Sequence, residues 1–202
     1  MKKYAMLMVA VSSVFCVEAA TLTGELEFVK RPSFVGVVYA KGGVGPQKAE
    51  LDQSNKVFDK KAVVIGPKGE ITFKNSDEFQ HNIFANDPNS GVKFDVGLMN
   101  QGQTTKVSAD WSENTLTRIG CKIHPKMRSY IANVNSDAYQ VLPFSKKQKV
   151  YPIKLDVGSH TEFVLQIPKY DPVELKLGKG QETSVDVMYK GKKRATLKLA
   201  LN

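Results

Sequence analysis

Residues 120–128 read Gly120-Cys-Lys-Ile-His-Pro-Lys-Met-Arg128, and they sit between two alternating, strand-like runs, Thr115–Ile119 and Ser129–Val134. Cys121, His124 and Met127 therefore share one short loop. Well upstream, Gln80-His-Asn-Ile-Phe84 places His81 a few residues beyond another alternating run, Gly69–Asn75, in which Ile71 and Phe73 face one way and Thr72 and Lys74 the other. A loop joining two strands can aim three side chains at one point while a neighbouring strand brings a fourth.

One thiol, two imidazoles and a thioether form a soft nitrogen-and-sulfur donor set. Two His and one Cys in a plane, with a distant axial Met, is the arrangement of blue-copper electron-transfer sites. A rigid β scaffold suits that chemistry, because little need move when the metal changes oxidation state. Pro125 fixes the backbone next to His124 and removes a donor there. Asn82 is placed to hydrogen-bond across to the Cys-bearing loop and orient it. The alternatives for this constellation are a buried structural thiol, a zinc site, which more often uses several thiolates, and a thiol enzyme. The last needs an orienting Asn or Asp that no obvious position supplies. Met99 reads as core packing and His160, on a turn, as a solvated surface residue.

Working outward, Met1–Ala20 has the pattern of a secretory signal. Lys2 and Lys3 precede an apolar run, Tyr4–Val17, and Val17-Glu-Ala19 leads to a small-residue exit. Cleavage after Ala19 or Ala20 would remove Cys16, one of only 2 cysteines, and leave Cys121 as the single thiol of an exported protein. An exposed lone thiol is a liability in an oxidising compartment, and metal ligation protects it. No later stretch approaches membrane-spanning length. The 202 residues carry 29 Lys+Arg against 20 Asp+Glu, a net charge of +9, which removal of Lys2, Lys3 and Glu18 lowers only to +8. A basic surface favours acidic partners. Nucleic acid is not expected, since no reading motif is present.

Beyond residue 20 the chain is a succession of short alternating runs broken by turn residues, the mark of an all-β sandwich or barrel. Glu50–Asp59 is expected to hold a short helical turn at most. A boundary is expected between Asn135 and Gln148, where Pro143 precedes Lys146, Lys147 and Lys149. After it come five more strand-like runs, from Tyr151 to Leu201, with room for a small β module of their own. The lysine clusters at Lys60-Lys61, Lys146-Lys147 and Lys192 to Arg194 read as solvated strand ends or as a docking surface for an acidic redox partner.

The C-x2-H-x2-M loop, the upstream His-Asn pair and the all-β pattern resemble a cupredoxin, closest to the amicyanin and plastocyanin-like group. Amicyanins share the loop spacing, the Pro after the loop His and an Arg after the Met, here Arg128. Gln53 through Met127 resembles plastocyanin-like proteins labelled methylamine utilization proteins, including Asn75-Ser-Asp77 ahead of the His-Asn pair. The resemblance spans residues 50 to 135 or so. Lys122 stands where amicyanins have a hydroxyl residue, and Ile123 where they have a proline. Residues 140 to 202 resemble a carboxypeptidase-regulatory or transthyretin-like β domain in layout only.

The resemblance implies a cupredoxin Greek-key β-sandwich followed by a small β-sandwich-like C-terminal module. The expected division is a signal peptide at 1–20, a cupredoxin domain with N-terminal extension at 21–137 and a C-terminal β domain at 138–202. One mononuclear copper is expected on His81, Cys121, His124 and Met127, with Asn82 and Pro125 supporting them. The implied work is periplasmic one-electron shuttling between redox proteins rather than catalysis. A copper chaperone or storage protein is the alternative.

Overall fold

In a computed structural model of the chain, residues 19–30 and 32–202 are described; of the signal-peptide reading over residues 1–20, residues 1–18 lie outside them. The described residues form β1 (Ala20–Phe28), β2 (Val35–Ala40), β3 (Lys48–Ser54), β4 (Val57–Phe58), β5 (Val63–Ile65), β6 (Glu70–Asn75), β7 (His81–Asp87), β8 (Val92–Met99) and β9 (Thr104–Ser108). They continue with β10 (Thr115–Gly120), β11 (Arg128–Asn133), β12 (Tyr139–Pro143), β13 (Val150–Gly158), β14 (Glu162–Gln166), β15 (Val173–Lys176), β16 (Glu182–Tyr189) and β17 (Lys192–Leu201). The fold is all-β, with one 3-10 turn at Pro88–Ser90 among the described residues.

Four sheets make two sandwiches. In the first, β5-β11-β10-β7-β8 packs on β4-β3-β6-β9. Neighbours such as β5 with β11 and β6 with β9 are distant in sequence, so the chain crosses between sheets in Greek-key fashion. The alternation that the sequence displays becomes burial: Ile71 and Phe73 of β6 are fully inside, facing Ile83, Ile119 and Ile131 of the opposite sheet, and Leu51 joins them from β3. Each such side chain contributes about 1.5–3 kcal/mol by leaving water.

The expected helical turn at Glu50–Asp59 is instead the strand β3, a turn and the strand β4. Asn55 and Lys56 both take positive φ (53° and 57°), the conformation of a tight hairpin turn, and β3 pairs in parallel with β6. The alternation there is masked in sequence because one of the two inward positions of β3 is Gln53, which is fully buried.

The second sandwich is built from both ends of the chain. β1 lies between β13 and β17, and β2 lies between β12 and β14. Residues 20–40 thus supply two inner strands to the sandwich formed by the C-terminal third, which the expected division at residue 137 does not account for. The reason is apolar continuity: Leu22, Leu26 and Phe28 of β1 and Val38 and Ala40 of β2 enter one core with Ile153, Phe163, Leu165 and Leu197. A smaller seam, with Val37 and Tyr39 of β2, Val64, Ala132, Val134 and Val164, joins the two sandwiches.

Candidate metal centre

The site forms at one end of the first sandwich. Cys121 directly follows β10, and the loop to β11 turns at His124, where the Met127 N–H donates to the His124 carbonyl at 2.8 Å. Pro125 sits at the second position of that turn, which its fixed φ suits. β7, antiparallel to β10, delivers His81 as its first residue. Register between β7 and β8 slips between Asn82 and Phe84, and at this bulge His81, Asn82 and Ile83 are buried in succession where a regular half-exposed strand would alternate.

His81 and Cys121 are buried, and His124 is half-buried. The Cys121 Sγ lies 3.8 Å from His81 Nδ1 and 3.9 Å from His124 Nδ1, and the two Nδ1 atoms are 2.9 Å apart. A metal bonded at about 2.0 Å to nitrogen and about 2.3 Å to sulfur in a plane spans N–S edges of roughly 3.7 Å, which the triangle matches. Its N–N edge is shorter, as befits two rings sharing a hydrogen bond. Met127 is buried in the same apolar cluster as Cys121, and the two line one small crevice with Phe84 and Pro125.

The surroundings prepare these donors. His81 Nε2 is 3.0 Å from the Asp77 carboxylate, an arrangement in which Nε2–H donates and the Nδ1 lone pair is left facing Cys121 and His124. The Lys56 N–H donates to the same carboxylate oxygen at 2.6 Å, and the Asp77 N–H donates to Asn75 Oδ1. The Lys56 backbone bond is the main cause holding Asp77 below the usual carboxylate range, with His81 adding to it. Burial, then the neighbouring His81, lowers the pKa of His124, which favours the neutral imidazole that binds metals.

Asn82 makes the bridge expected of it. Its Oδ1 accepts the Lys122 N–H at 2.7 Å, and its Nδ2 donates to Asp95 at 3.1 Å. Lys122, in place of a hydroxyl residue, closes the ring by pairing its ammonium with Asp95 at 2.6 Å. Of the weaker candidates, Met99 is core, opposite His81 in the β7–β8 register. His160 lies at the surface on its turn, partly exposed, with its Nε2 2.8 Å from the exposed Asp137 carboxylate. The residue missed as a participant is Asp77, whose signal was the Asn-Ser-Asp turn four residues ahead of the His.

A β-sandwich that gathers a thiol, two imidazoles and a buried Met at one end offers a candidate metal site, and the group could hold a single copper. No protein-family model matches the chain, and no curated protein matches it. Among solved structures, the chain is similar in part to a purple cupredoxin from Nitrosopumilus maritimus (20% identity, 43% of this chain and 98% of that one, TM-score 0.35). It is also similar to an oxidised amicyanin variant (14% identity, 54% of this chain and 97% of that one, TM-score 0.38). The copper-containing nitrite reductase of Thermus scotoductus SA-01 is matched at 19% identity and TM-score 0.38 over 43% of this chain, which spans only 22% of the reductase. The reading of the site rests on its own side chains.

Proposed function

We propose that the chain is an exported copper protein that carries single electrons between periplasmic redox partners. The observation that carries this reading is the triangle of Cys121 Sγ with His81 and His124 Nδ1, buried on the Cys side and oriented by Asp77 and Asn82. His81, Cys121 and His124 would hold the copper, with Met127 as the weak fourth donor. Bound there, copper supplies a one-electron couple between its two common oxidation states. The chain's own contribution is to fix the donors on strand ends and a Pro-braced turn, so that little reorganisation accompanies each electron.

The edge of His124 is the way in and out. It is the one half-exposed donor, flanked by exposed Ile123 and Phe79, whose ring centroid lies 6.5 Å from that of His124. Lys56, with its ammonium 3.6 Å above the Phe79 ring, and exposed Lys126 add positive charge to this apolar rim, which favours an acidic partner. Export is supported by the Met1–Ala20 pattern, and cleavage after Ala19 or Ala20 leaves β1 able to pair, since Thr21 and Asn202 exchange both backbone hydrogen bonds. Among the described residues no helix is long and apolar enough to cross a membrane.

The test is redox cycling of the copper-loaded protein. Full bleaching by a mild reductant and full recovery with an oxidant, one electron per chain over repeated cycles, is expected. Copper that leaves the protein on reduction, or passes to a chelator faster than it re-oxidises, would point to a chaperone instead.

A further inference from the structure

A second site lies at the junction of the two sandwiches, outside the metal ligands. A cleft of about 720 Å³ opens there, and six cationic side chains line it: Lys61, Arg118, Arg128, Lys146, Lys147 and Lys169. Among the described residues no carboxylate lines it, and none of the six forms an ion pair. Elsewhere on this surface cations are routinely matched, as in Lys74 with Glu50, Lys106 with Glu70 and Lys198 with Glu25. Six unmatched charges converging on one concavity repel one another, and an anion removes that cost.

Two of the cations are also held in place. Lys61 and Arg128 both lie over the Phe34 ring, with Nζ 5.0 Å and Cζ 4.4 Å from its centroid. The Lys61 ammonium donates to the Phe144 carbonyl at the cleft wall. Burial, then the charge of Arg128, lowers the pKa of Lys61, a sign of cations crowded into a partly dry site. Arg118 and Arg128 project from the same face of neighbouring strands, since Arg118 is opposite Tyr130 in the β10–β11 register. Lys146 and Lys147 come from the loop after β12 and Lys169 from the turn after β14, so both sandwiches contribute. The volume is that of a small-molecule pocket, within the usual range of about 300–1,000 Å³.

We propose that this inter-sandwich cleft binds a small polyanion bearing two or more carboxylate or phosphate groups. The proposal stands apart from the copper reading, because it uses none of the metal ligands and needs no metal.

Calorimetric titration of the full chain with citrate and with pyrophosphate, in about 0.15 M salt to screen weak surface attraction, tests it. Saturable binding of at least one of them at one per chain, in the millimolar range or tighter, is expected. The stronger of the two probes identifies the anionic group that the cleft prefers. The exposed pair Lys146→Glu and Lys147→Glu should weaken binding at least about tenfold. The control pair Lys190→Glu and Lys192→Glu, exposed cations that do not line the cleft, with the same change in net charge, should leave it unchanged. Circular dichroism of both double variants checks that they remain folded. Absence of saturable binding, or equal loss in both double variants, would overturn the proposal. So would binding of a poly-glutamate chain with neither small anion, which would make the cleft a macromolecular docking face.

Discussion

Asp77 governs which nitrogen of His81 is free. As a carboxylate it can accept from both the His81 Nε2–H and the Lys56 N–H, and so it leaves Nδ1 as a lone pair. Both donors meet one charged oxygen of that carboxylate; an amide offers a neutral, weaker acceptor there, and its NH2 can instead donate to Nε2 and reverse the tautomer. Asp77→Asn is therefore expected to lower copper affinity by about 10- to 100-fold while the chain stays folded, read by competition with a copper chelator. Unchanged affinity would mean that the carboxylate does not set the tautomer. The candidate donors themselves were legible in sequence, because thiol, imidazole and thioether at fixed spacing on one loop have few other uses. Asn82 was legible for the same reason, standing beside a candidate ligand. The carboxylate was not, since an Asp in an Asn-Ser-Asp stretch reads first as a turn residue, and only the fold shows that the turn faces the imidazole.

The strand β1 shows what periodicity leaves unread. Leu22, Leu26 and Phe28 alternate with outward Glu25 and Glu27, but Gly24 interrupts the run, and neither its strand character nor its partners stood out in the sequence. Pairing with β17 joins residues more than a hundred positions apart, and nothing local encodes that contact. Gly24 marks the spot. A Cβ there would come within 2.0 Å of the Lys198 carbonyl oxygen, on the backbone of the neighbouring strand. Gly24→Ala is expected to destabilise the protein by about 2 kcal/mol or more, measured by urea unfolding. A fully stable variant would argue against β1 as an inner strand. The same gap between local pattern and distant pairing explains β3, whose parallel partner β6 was foreseeable only as a separate strand.

On the scale of the whole molecule, the two sandwiches meet at a seam that includes Tyr39, buried to 1% exposure. Burial, with the charge of Glu174 adding to it, raises the pKa of its phenol well above the ordinary value. A folded chain that keeps a proton which the unfolded chain releases above about pH 10 loses stability as pH rises through that value. Thermal unfolding is thus expected to drop steeply above pH 10, and Tyr39→Phe to flatten part of that drop. A variant with the wild-type alkaline slope would show that the phenol does not titrate against the fold. Arg118 connects this scale back to the metal, because it lines both the inter-sandwich cleft and the crevice beside Cys121 and Met127. An anion seated in the cleft would stabilise the more positive, oxidised metal, so pyrophosphate should lower the reduction potential of a copper-loaded protein.

The functional reading turns on whether one copper binds through the Cys121 sulfur. Titrating the apo-protein with Cu(II) and following its visible absorption reads that bond directly, since intense colour at a copper–thiolate centre arises from sulfur-to-metal charge transfer. The account predicts a strong blue band that saturates at one copper per chain and is missing from Cys121→Ala. Copper bound without that band, or a band that survives Cys121→Ala, would contradict it.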